Sequence, residues 1–298
     1  MAFFFEVVLG GLLAGVLYSL VALGFVLIFK ASGVFNFAQG AMVLFAALTL
    51  VRLMGWVPFW IAFPITCAVM IVLAFIIERI VLRPLVNQED IILFMATLGI
   101  AFFLEGFGQT IWGSDIYTLN LGIPKDPAFI MEWLFDGGLL VDKLDLFAAA
   151  VAGALVVALA LFFQKTRVGL ALRAVADDHQ AAQSIGVPLN YIWLVVWSAA
   201  GIVALVAGMV WGAKLGVQFS IALVALKALP VLILGGFTSV PGAIIGGLII
   251  GMGEKISEVY LGPVFGGGIE NWFAYMLALV FLLFRPQGLF GDRIIERV

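Results

Sequence analysis

Glu105 and Lys227 are the two ionisable residues best placed inside long apolar runs of this 298-residue chain. A charge held in hydrocarbon is costly, so such groups mark an ion pair, a solute contact or a snorkelling side chain. Asn36 and Gln39, in the stretch FNFAQG, and Thr97, Gln109, Thr238 and Ser239 offer hydrogen bonds from similar surroundings. Each can hold a polar solute or bind one helix to another. The groups that catalysis needs are missing. There is no GxxxxGK[ST] phosphate loop, so the chain does not hydrolyse ATP by itself. One histidine, His179, and one cysteine, Cys67, cannot make an HExxH site, a zinc cluster or a His-activated nucleophile. An intramembrane aspartyl dyad needs two carboxylates within spans, where Glu105 alone is securely placed. No enzyme is expected, and a self-sufficient channel or secondary transporter would need more ion-coupling residues at mid-membrane than this.

The elements that must position these residues are membrane helices. The chain is 64% hydrophobic and 11% charged, with a mean hydropathy of +1.22, whereas soluble domains carry about 25% charged residues. Composition therefore predicts an all-α, polytopic integral membrane protein, a single membrane domain over 1–298 with about nine (8–10) spans, some kinked or broken. The apolar runs are Val7–Phe29, Ala31–Val51, Leu53–Ile77, Ile91–Gly113, Leu146–Phe163, Tyr191–Ala213, Ile221–Gly235, Ala243–Gly253 and Asn271–Phe284. The second begins with the polar, glycine-bearing ASGVFNFAQG, which predicts a bend or interrupted helix; Pro64 predicts a kink in the third. Ser220–Gly253 breaks near GGFTSVPG into two antiparallel segments. The pairs Gly11/Gly15, Gly242/Gly246 and Gly247/Gly251 predict close helix packing. No basic n-region precedes the first run, so it is expected to be a retained span.

Three polar connections remain. Glu78–Asp90 reads as a charged turn. Ser114–Asp145 is acidic. Gln164–Asn190 carries Lys165, Arg167, Arg173, Asp177, Asp178 and His179. Its middle reads as a short helix with Asp177 as N-cap, Ala181, Ala182 and Ile185 at helical spacing, and Gly186 then Pro188 as the stop. Such a helix has nothing of its own to pack against and is expected to dock on a soluble partner. Setting this loop in the cytoplasm puts nine of the fifteen bases inside and follows the positive-inside rule. The N-terminus and the 114–145 connection then lie outside, and the C-terminus inside. Net charge of −3 and sparse bases give no nucleic-acid partner.

Within that loop, ALRAVADDHQAAQSIGV (Ala171–Val187) resembles the cytoplasmic coupling loop of LivH-type permeases, the membrane subunits of branched-chain amino acid ABC importers. Four further stretches are similar to family elements in the same order: FNFAQG (Phe35–Gly40), ERIVLRPL (Glu78–Leu85), GGFTSVPGAIIGG (Gly235–Gly247) and FRPQGLFG (Phe284–Gly291). Ala41 stands where the family commonly has an acid. The resemblance implies alternating-access import of leucine, isoleucine or valine through the bacterial cytoplasmic (inner) membrane; within the family, urea, short amides or other amino acids are the alternatives. It also implies a second, LivM-like permease, two cytoplasmic ABC ATPases and a periplasmic or extracellular substrate-binding protein. ATP and magnesium would belong to the ATPases, with no cofactor in this chain. Carried over by position, Asp177, Asp178, Gln180, Ala181, Ala182 and Gly186 are the expected ATPase-coupling residues. Asn36, Gln39, Thr97, Glu105, Gln109, Lys227, Thr238 and Ser239 remain candidates for the translocation pathway from their chemistry alone.

Overall fold

The structure, a computed structural model, describes residues 2–85, 88–124, 126–130, 138–177 and 179–291. In chain order the elements are α1 (Ala2–Ser32), α2 (Gln39–Met54), α3 (Phe59–Ile76), α4 (Asp90–Trp112), β1 (Pro127–Ile130), β2 (Leu139–Asp142), α5 (Lys143–Lys165), α6 (Arg167–Asp177), α7 (His179–Ser184), α8 (Leu189–Leu215), α9 (Val224–Gly235), α10 (Val240–Phe265) and α11 (Phe273–Phe284). Each apolar run read from the sequence coincides with a helix. Among the described residues, six helical stretches are long and apolar enough to cross a membrane, and three shorter apolar ones lie at Gln39–Met54, Phe219–Gly235 and Phe273–Phe284.

The chain forms two compact units, one of Met1–Ala22, Gly122–Ala154 and Leu226–Val298, the other of Leu23–Leu121 and Leu155–Ala225. In the second unit α8 is the hub, packed on α2 and α3. Small residues let the backbones close: a Cβ on Gly208 would lie 2.5 Å from the Val43 carbonyl oxygen. The break between α1 and α2 falls at Gly33, whose φ of +69° suits a residue without a Cβ. The interruption predicted in ASGVFNFAQG is therefore present.

Two local expectations change here. The charged turn at 78–90 is helical at its start: α3 continues through a π turn, Ile77–Leu82, into a 3₁₀ turn, Arg83–Leu85. Ile77, Glu78 and Leu82 are buried, so the buried stripe of α3 runs on past the first charges and the helix with it. The loop 164–190 holds two helices, α6 and α7, where one was predicted. Thr166 starts α6 by accepting the Gly169 N–H at 3.1 Å, and Leu172 and Val175 form its buried stripe. Asp177, read from the sequence as the start of the single helix, is the last residue of α6.

In the first unit, the glycine pairs of α1 and α10 face each other. A Cβ on Gly15 would sit 2.5 Å from the Gly247 carbonyl oxygen, and one on Gly11 would meet the Met252 Cα at 2.7 Å. Ser19 reinforces this seam, its hydroxyl within 3.2 Å of the Ile244 carbonyl of α10. The turn between α9 and α10 is equally close, Gly235 against Gly242. Residues 285–291 fold onto it: the Leu289 and Phe290 N–H groups donate to the Leu234 and Gly235 carbonyls at 2.8 and 3.1 Å. Those carbonyls end α9 and lack intrahelical partners, so the C-terminal FRPQGLFG stretch completes the helix it covers. Within the acidic 114–145 connection, β1 and β2 pair antiparallel from Pro127↔Asp142 to Ile130↔Leu139. The Leu140 N–H donates to Glu6 at 2.8 Å, tying this hairpin to α1.

Candidate functional site

A polar cluster in the first unit contains the one intramembrane cation singled out from sequence. Lys227 lies near the start of α9, and its ammonium donates to Glu254 Oε1 of α10 at 2.8 Å. The Tyr18 hydroxyl of α1 donates to the same oxygen at 3.2 Å. From α11, Tyr275 donates to the Leu226 carbonyl at 2.6 Å. Three helices thus converge on the first turn of α9. Glu254 is buried at 4% side-chain exposure while Lys227 keeps 34%. The carboxylate is enclosed and satisfied, and the ammonium still presents part of its surface.

Sequence reasoning weighed a pair between Lys227 and Glu105; Lys227 is instead engaged by Glu254. Glu254 and Tyr18 were both missed. The apolar run was ended at Gly253, one residue short, whereas α10 continues to Phe265 and carries Glu254 on the same helix. Extending that run across the next turn would have found it. Glu105 is half-buried and has no ion-pair partner among the described residues.

The FNFAQG group in the second unit is turned inward. Asn36, Gln39 and Thr97 are fully buried, and their polar atoms are used within the chain. Asn36 donates to Gln39 Oε1 at 3.2 Å and accepts the Ala38 N–H at 3.1 Å. Thr97 Oγ1 accepts the Phe37 N–H at 3.1 Å and donates to the Phe94 carbonyl at 2.9 Å. Gly24 leaves the room that the Gln39 amide fills. These contacts satisfy polar groups of the broken backbone between α1 and α2. Ser239 is the N-cap of α10, accepting the Gly242 N–H at 3.0 Å. Thr238 is half-buried and Gln109 exposed.

The 164–190 segment packs on itself first. α7 rests on α6, and α6 on α8, so the chain supplies the packing surface that sequence reasoning expected from a partner. Ala182 is 2% exposed. Gly186, with φ +88°, ends α7 as predicted, and the Val187 N–H donates back to the Ala182 carbonyl at 3.0 Å, the longer of the two bonds that close a Schellman turn. What remains outward is Ala181, Ile185 at 76% and Leu170 at 63% exposure. Asp178 lies outside the described residues, as do the side chains of Asp177 and Gln180.

Apolar helices with glycine seams, a part-exposed intramembrane ion pair and a short two-helix segment between spans define a polytopic membrane permease. The chain belongs to the family described as the permease component of branched-chain amino acid transport systems, whose model matches residues 7–285. It is 28% identical to the high-affinity branched-chain amino acid transport system permease protein BraD of Pseudomonas aeruginosa, over 99% of this chain and 98% of that one. It is 27% identical to LivH of Escherichia coli K12, over 99% and 98%. With a probable LivH permease of Methanocaldococcus jannaschii it shares 30% identity over 95% of this chain and 91% of the other. The fold is similar to a chain in the structure of PsaBC from Streptococcus pneumoniae in complex with Fab, with a TM-score of 0.51 at 16% identity, over 92% of this chain and 89% of that one.

Proposed function

We propose that this chain is one of two permease subunits through which an ATP-driven importer carries leucine, isoleucine or valine across the bacterial cytoplasmic membrane. The supporting observation is its similarity, over nearly its whole length, to permeases named for that transport. The partners are a LivM-like permease, two cytoplasmic ATPases that bind ATP and magnesium, and a soluble substrate-binding protein outside. The α6–α7 segment lies in the cytoplasm and takes the push of ATPase closure. Ile185, Leu170 and Ala181 present the outward surface for it, while Ala182 and Gly186 hold the shape of α7. Because α6 packs on α8, and α8 on α2 and α3, a displacement of α7 has a continuous packed route into the spans. Lys227, paired with Glu254, contributes to the pathway wall in the first unit, with Thr238 as a further polar position there; Glu105 and Gln109 are the polar candidates of the second unit. Loaded binding protein docks on the outer side, where the β1–β2 connection is the acidic surface on offer.

Assembly tests this directly. The tagged chain, expressed with its chromosomal neighbours and solubilised in mild detergent, is expected to bring down a second permease and two ATPases. Isolation of a stable complex without any ATPase would contradict the reading.

A further inference from the structure

The last turns of α2 and α4 and the first half of α3 enclose a groove of about 410 Å³, within the roughly 300–1,000 Å³ of ligand clefts. Leu53, Ile65, Val69 and Ile111 line it together with Arg52, Trp56 and Trp112. Thr49 also contributes, but its hydroxyl already donates to the Phe45 carbonyl at 2.8 Å. No acidic residue lines the groove, and Arg52 has no ion-pair partner among the described residues. Its guanidinium lies 5.2 Å over the Tyr117 ring. That ring is held in place, since the Tyr117 hydroxyl donates to the Trp112 carbonyl and its backbone exchanges hydrogen bonds with Val217.

The position of the groove identifies its surroundings. Trp56 is 87% exposed with Trp60 beside it, and tryptophans at span ends mark the membrane–water interface. The spans carrying α3 and α4 are only 28% and 33% buried within the chain, so the groove between them opens onto the bilayer. We propose that it binds an anionic phospholipid, with the headgroup phosphate at Arg52 and an acyl chain along Leu53, Ile65, Val69 and Ile111. An apolar trough whose lining includes a guanidinium with no ion-pair partner among the described residues matches that lipid in both charge and apolar surface. A soluble anion would use the arginine and leave the trough empty.

Native mass spectrometry of the detergent-purified chain tests the site, with phosphatidylglycerol, phosphatidylcholine and free glycerol 3-phosphate as probes. Phosphatidylglycerol is expected to be retained in preference to phosphatidylcholine, and glycerol 3-phosphate not to bind. Arg52→Gln should weaken phosphatidylglycerol retention about fivefold, the worth of one basic contact to an anionic lipid. Trp56→Ala, at an exposed position that does not carry the fold, should weaken it as well, whereas Arg83→Gln should leave it unchanged. Equal retention of both lipids with no effect of Arg52→Gln would overturn the proposal. So would binding of glycerol 3-phosphate as tight as that of the lipid, or displacement of the lipid when a second permease assembles.

Discussion

Replacing Ile185 with aspartate is expected to abolish ATPase-driven transport while leaving the chain inserted and folded. Ile185 is 76% exposed at the end of α7, and exposed substitutions change stability by only about 0.5 kcal/mol. Burial of an isoleucine side chain at an interface is worth roughly 1.5–3 kcal/mol, and a carboxylate in its place also brings a desolvation cost. Association with the ATPases should weaken on the order of 100-fold, since about 1.4 kcal/mol is tenfold. Ala182→Arg provides the contrast. Ala182 is 2% exposed, so arginine there has no room and should disturb α7 itself. Pull-down of ATPase with purified variants, alongside size-exclusion profiles, separates the two outcomes. Undiminished ATPase binding by Ile185→Asp would remove α7 as the docking element.

The second large effect is expected at Glu254. Its carboxylate is the partner of both Lys227 and Tyr18, so Glu254→Ala leaves a membrane-embedded ammonium with nothing opposite it. Breaking a buried pair costs about 3–5 kcal/mol; Lys227 keeps 34% of its side-chain surface, so about 2–3 kcal/mol is expected once that solvation is allowed for. A neutral double variant, Lys227→Met with Glu254→Leu, should recover most of the lost stability, because no charge is then left unpaired. It should not recover transport, since the part-exposed ammonium is gone. Denaturation midpoints and uptake rates of the three variants test both statements. Wild-type transport by the double variant would reduce the pair to a structural tie.

The contrast between these two sites shows what the linear sequence carries. Apolar runs are local, and so the helices were legible, as were the glycines whose spacing puts them on one helix face. Gly11 and Gly15 could be expected to meet another backbone; that they meet Gly247 and Gly251 depends on the fold. The helix stop at Gly186 was legible because a left-handed turn and the following proline act within a few residues. The pairing of Lys227 with Glu254, 27 residues apart across the α9–α10 turn, was not, because it needs the direction of both helices and the true end of α10. Asn36, Gln39 and Thr97 have a chemistry that suits either a solute or a neighbouring helix, and their burial beside the α1–α2 break depends on contacts that are remote in the sequence. Ala182 likewise has no polarity to reveal that it is buried within the chain.

The account requires that force comes from outside this chain. Vesicles reconstituted with this chain alone should take up no radiolabelled leucine, with or without ATP inside. Vesicles containing this chain, the second permease and both ATPases should accumulate it only when ATP is enclosed and the binding protein is supplied outside. Uptake by this chain without ATPases would contradict the account and return it to the class of self-sufficient carriers.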